Sequence, residues 1–82
     1  LVVDDEDGVR LTTRRLLERA GYQVEVATSG VEALARIETP GAPTPALVLT
    51  DVMMPGMSGR DLGLRLAERR PPVPVAYVSG YV

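Results

Sequence analysis

Three aspartates are marked out by what surrounds them. Asp4 and Asp5 follow the apolar triplet Leu1-Val2-Val3, and Asp51 ends the run Leu47-Val48-Leu49-Thr50. A short apolar run bounded by turn signals reads as a strand buried on both faces of a parallel sheet. Each acid then stands at the carboxyl end of its strand, the edge where open α/β sheets bind ligands. A carboxylate desolvated there without a partner is costly, so the position asks for a cation or some other partner. The chain has no cysteine and no histidine, which leaves only oxygen ligands and favours Mg²⁺, Mn²⁺ or Ca²⁺. The same two absences remove a thiol nucleophile and an imidazole base. Ser79, followed by Gly80, is a hydroxyl delivered by another apolar run, Val73 to Val78.

The elements that must carry these residues are legible in order. Glu6 and Asp7 fit a cap and charge complement for the helix that follows, whereas Asp4 and Asp5 come too early for that and are assigned to the site. Val9 to Ala20 has helical spacing, with Val9, Thr13, Leu16, Leu17 and Ala20 expected inward and the arginines mostly elsewhere. Gly21 fits a left-handed stop. Tyr22 to Ala27 alternates loosely, as a strand near a sheet edge does. Ser29 to Glu32 has the form of a capping box, and Val31, Ala33, Leu34 and Ile37 form the apolar face of the second helix.

Residues 39–45 contain three prolines and form a surface connection. After Asp51 comes a proline-glycine turn at Pro55-Gly56. Ser58 is then a predicted N-cap, opening a helix through Arg70 with Leu62 and Leu66 inward. Pro71-Pro72 stops it, and Val73 to Val78 is the fourth strand.

Strand and helix therefore alternate three times before a last strand, which implies a parallel sheet with right-handed crossovers. If the first and third strands are neighbours, with the second outside the first, a crevice opens between them where strand order reverses. Asp4 and Asp5 would line one side and Asp51 the other. Three carboxylates and a backbone carbonyl or two make an oxygen cage with room for waters, which suits Mg²⁺ and a phosphate.

Composition narrows the classes further. Eighty-two residues allow one domain, the net charge is −2, and all nine basic residues are arginines spread mainly over two helices. Nothing in that pattern suggests nucleic-acid binding, and no apolar run approaches the roughly 20 residues of a membrane span. Leu1-Val2-Val3 runs straight into acids, unlike a signal peptide, and the lack of cysteine is compatible with a cytoplasmic location.

These residues resemble the receiver domains of two-component response regulators along the whole chain. Leu1 to Glu6 looks like that family's opening strand and acidic pair, and Ala27 to Leu34 like the start of its second helix. Thr50 to Gly59 is similar to its phosphoacceptor strand and following loop. The strand-order rule rests partly on this same family, so it lends no separate support. The resemblance implies a flavodoxin-like doubly wound sheet of order 2-1-3-4. It implies Asp51 as acceptor of a phosphoryl group from a phosphohistidine, and Mg²⁺ held by Asp4, Asp5, Asp51 and the Met53 main-chain carbonyl. Ser79 would bond the phosphoryl group and swing toward it, with Gly80 as the small residue after it. The partner would be a histidine kinase or phosphotransfer domain, in cis or in trans. Val78 to Tyr81 and the 54–59 loop look most like receivers joined to hybrid sensor histidine kinases. By the same resemblance Met53 and Tyr81 would flank the phosphoryl site, and they are expected to slow water and lengthen its phosphorylated life. Faster decay in wild type than in a Tyr81→Ala variant would count against that role.

One departure stands out. The family places a lysine and a switch aromatic on a fifth strand, and this chain has no lysine. The 82 residues therefore read as the amino-terminal two-thirds of one receiver domain, cut before the fifth strand and the last two helices. An exposed fourth strand and uncovered apolar surface imply marginal stability alone, below the ~45–65 °C midpoints of intact mesophile domains. Two other functions make different demands on these residues. An aspartyl-phosphate hydrolase typically needs a second acid two residues on, where Met53 stands. An interaction module with the same fold would lack Mg²⁺-dependent labelling by a small phosphodonor.

Overall fold

The computed structural model describes residues 1–78. Its elements are β1 (Val2–Val3), α1 (Asp7–Arg19), β2 (Val26–Ala27), α2 (Gly30–Glu38), β3 (Val48–Asp51), α3 (Gly59–Ala67) and β4 (Val75–Val78). All strand pairs are parallel, as the alternation implied, and the sheet order is β2-β1-β3-β4, the order the resemblance implied. The order places β1 and β3 side by side, so Val2 pairs with Leu49 and Val3 with Thr50.

Register settles which residues share a face, because side chains alternate along a strand. Val3, Ala27 and Val48 point to one face, where they join Ala33, Leu34 and Ile37 of α2 and Leu62 and Leu66 of α3 in a single core. Leu62 and Leu66 are wholly buried. Burying each contributes roughly 2–3 kcal/mol, so this face holds the fold together. Val2 is buried from the other side, where α1 lies against β1.

Several local expectations hold. Ser58 caps α3, its Oγ accepting from the Asp61 amide at 3.1 Å. Gly21 adopts φ 96°, a left-handed conformation, just beyond α1. The proline-rich connection is mostly exposed.

Other expectations are corrected. Strand pairing in the 22–27 segment is confined to Val26–Ala27, because β1 offers only Val2 and Val3 as partners. β3 is not buried on both faces: Val48 and Thr50 are buried while Leu49 and Asp51 are half-exposed. The inward stripe of α1 is rotated, with Leu16 62% and Val9 36% exposed and Arg10 buried. Arg10, Thr13, Arg14 and Leu17 form the side turned inward, at the i, i+3, i+4, i+7 spacing of one helix face. Val31 of α2 also points to solvent. α3 ends at Ala67 rather than Arg70. β4 starts at Val75 because Pro74 has no amide to donate, although Val73 packs into the core.

Candidate functional site

Asp51 is the last residue of β3, and Asp4 and Asp5 follow the end of β1. Because those strands pair directly, the three acids meet across the strand-order reversal. One carboxylate oxygen from each lies within 4.8 Å of the others. Asp4 is buried, Asp51 half-buried and Asp5 exposed, so the cluster opens outward on one side.

Local hydrogen bonds fix the two anchoring acids. Asp4 Oδ1 accepts from the Glu6 amide at 2.9 Å, an Asx-type turn that starts the loop into α1. Glu6 itself occupies the N-cap position of α1 without a side-chain cap bond, and Asp7 lies in the first turn. The expected cap is therefore supplied by placement and charge alone. Asp51 Oδ1 accepts from the Met53 amide at 3.3 Å, which orients the carboxylate at the strand end. Met53 is 74% exposed.

The electrostatics match convergence of like charges. Burial raises the Asp4 carboxyl above the usual carboxylate range; the Glu6 amide opposes this, Asp51 and Asp5 add to it, and Arg10 partly offsets it. A divalent cation would relieve that repulsion, and the donors offered are the hard oxygens that Mg²⁺ or Mn²⁺ take. The residues present therefore fit such an ion.

Two supporting residues were not anticipated as such. The backbone at Gly59 doubles back onto β3, its amide donating to the Val52 carbonyl at 3.0 Å. A Cβ at this position would lie 1.9 Å from the Asp51 carbonyl oxygen, so no side chain fits without moving the site strand. Glycine at the first position of a helix, where better helix formers are available, was the signal. The second is Arg10, hidden among arginines that read as a solvated face. The expected capping box forms, its glutamate reaching back one residue beyond the cap. Glu32 accepts from the amide and hydroxyl of Thr28, one residue before the Ser29 cap, while its own amide donates to Ser29 Oγ at 3.1 Å. Those Thr28 bonds hold the Glu32 carboxyl below the usual range. Ser79, Gly80 and Tyr81 lie outside the described residues.

Comparison with known proteins agrees with this geometry. The model of the response regulator receiver domain family matches residues 1–82. The chain is 43% identical over 81 residues to the sensor kinase CckA of Brucella abortus, covering 99% of this chain and 8% of that protein. It is 39% identical over 79 residues to the sensory transduction protein RegX3 of Mycobacterium tuberculosis, covering 96% of this chain and 33% of that one. The chain thus spans a third or less of the length of these curated relatives. Among solved structures, the chemotaxis protein CheY4 of Vibrio cholerae superposes with a TM-score of 0.79 at 29% identity, covering 99% of this chain and 67% of that one. With the 2-1-3-4 sheet and the three acids at its carboxyl edge, this chain belongs to the response regulator receiver domains, the signalling domains of two-component systems.

Proposed function

We propose that Asp51 accepts a phosphoryl group from a phosphohistidine on a histidine kinase or phosphotransfer domain, and that the acid cluster holds Mg²⁺ during transfer. The observation that carries this reading is the meeting of Asp4, Asp5 and Asp51 within 4.8 Å, with Asp51 open to solvent. An Asp51 carboxylate oxygen attacks phosphorus, the phosphorus–nitrogen bond breaks, and the electron pair returns to the imidazole, which takes up a proton. The product is an acyl phosphate on Asp51. When bound, the ion would supply charge neutralisation for the phosphoryl oxygens. Asp4, Asp5, Asp51 and the Met53 carbonyl are the ligands we assign. The Met53 amide, bonded to Asp51 Oδ1, holds the nucleophile in position.

Ser79 completes the reading as the hydroxyl that bonds the phosphoryl group, followed by Gly80, with Met53 and Tyr81 limiting access of water. The likeness to a sensor kinase favours a receiver within a hybrid kinase, and the similarity to RegX3 leaves a free regulator as the second arrangement. We read the 82 residues as the amino-terminal two-thirds of one receiver domain, working in the cytoplasm. Coverage of 67% of the CheY4 chain supports that extent.

The test is labelling of the full-length protein by a radiolabelled small phosphodonor such as acetyl phosphate, with and without Mg²⁺. Wild type should be labelled only with Mg²⁺, and Asp51→Asn should not be labelled. Labelling that persists in Asp51→Asn would move the acceptor elsewhere. No labelling of wild type would favour an interaction module.

A further inference from the structure

Arg10 is the only buried basic residue among the described residues, and it is 9% exposed. Its fork spans the β1–α1 loop from end to end. Nη1 donates to the Asp4 main-chain carbonyl at 2.9 Å, and Nη2 donates to Asp7 Oδ1. The Asp4 side chain is meanwhile engaged by the Glu6 amide. Both ends of the loop that presents Asp4 and Asp5 are therefore tied to one rigid planar group rooted in the first turn of α1. The other arginines of α1 are exposed or half-exposed, and Arg14 pairs only along its own helix, with Glu18.

We propose that Arg10 is a positioning residue for the cation site: by joining the Asp4 carbonyl to Asp7, it holds the β1–α1 loop so that Asp4 and Asp5 face Asp51. The inference rests on the reading of that cluster as a divalent-cation site. A guanidinium suits the task because its donors point in fixed, divergent directions, which a single ammonium does not reproduce. The role also carries a sign. A positive charge beside three acids repels a cation, so if Arg10 acted only through charge, removing it would tighten binding. A positioning role gives the reverse.

The experiment is titration of Mn²⁺ into the full-length protein, following loss of the free-ion electron paramagnetic resonance signal. Wild type, Arg10→Met and Arg10→Lys are compared, with circular dichroism as the check of folding. Residues that orient metal ligands typically change affinity about 10–100-fold when removed, so Arg10→Met should bind about tenfold more weakly. Arg10→Lys keeps the charge but not the fork and should fall between, about threefold weaker than wild type. If Arg10→Met does not fold, Arg10→Lys decides alone. Wild-type affinity in the variant that folds, or tighter binding in Arg10→Met, overturns the positioning role and leaves the cation site standing. Absence of Mn²⁺ binding by wild type overturns the cation site and this inference together.

Discussion

On the face of the sheet covered by α2 and α3, Leu62, Leu66, Val48 and Ala33 are completely buried. On the other face only α1 is present among the described residues. There Val2 is buried, Leu49 and Ala76 are half-exposed, and Val78 at the β4 edge is 40% exposed. The helix itself carries Leu11 and Leu16 at 44% and 62% exposure. Asp51 shares the parity of Leu49 and ends its strand, so the phosphoacceptor candidate lies at the carboxyl edge on the α1 side. The layer covered by α2 and α3 holds the core, and Asp51, the last residue of β3, is reached from solvent at the carboxyl edge of the sheet. Packing is thus concentrated within one layer, and the acids gather at the edge where the strands end.

That division predicts unequal responses to truncation. Leu66→Ala should cost about 3–4 kcal/mol by loss of burial plus a cavity, while Leu16→Ala should change stability by no more than about 0.5 kcal/mol. Urea unfolding monitored by circular dichroism measures both, and equal costs would break the comparison. Gly59→Ala tests the seam between closed face and site. Its Cβ would meet the Asp51 carbonyl, and a loss of about 2–3 kcal/mol is expected, with weaker phosphodonor labelling even where the protein still folds. Ser58→Ala removes the cap that starts α3 and should cost about 1 kcal/mol in the same assay, leaving labelling intact once the protein is folded.

The smallest effects concern two acids displaced in opposite directions. Asp4 is raised, so its contribution to stability is fully present below its unfolded pKa and is lost as pH rises through its folded pKa. Glu32 is lowered, so its contribution is present above its unfolded pKa and is lost as pH falls through its folded pKa. Without Mg²⁺, Asp4→Asn should therefore stabilise the protein at neutral pH, by no more than about 1 kcal/mol, and steepen its loss of stability in acid. Added Mg²⁺ should raise the thermal midpoint of wild type by mass action and leave that of Asp4→Asn nearly unmoved. Equal midpoints for wild type and the variant at neutral pH, without the ion, would show that burial and repulsion together place no net penalty on the Asp4 charge.

How far the letters could be read varies with the kind of interaction. Ser58 at its cap depends on residues three apart, so it is visible along the chain. Leu62 and Leu66 are four apart on one helix face and were equally plain. The orientation of α1 escapes a reading of apolar spacing alone, because Arg10, which donates to a carbonyl six residues back, takes a place on its inward side. The length of β2 was misjudged for a related reason: a strand extends only as far as its neighbour offers partners.

Sequence alone was enough to establish the alternation of strands and helices, the placing of Asp4, Asp5 and Asp51 at strand ends, and the likeness to receiver domains. Those features rest on spacing within short stretches and on residue chemistry. The strand order follows from that likeness, but how closely three acids from distant parts of the chain approach, and that Arg10 rather than Leu16 turns inward, were decided only by the folded structure. Each depends on groups brought together by pairing between strands and packing between layers, and no local pattern encodes those distances.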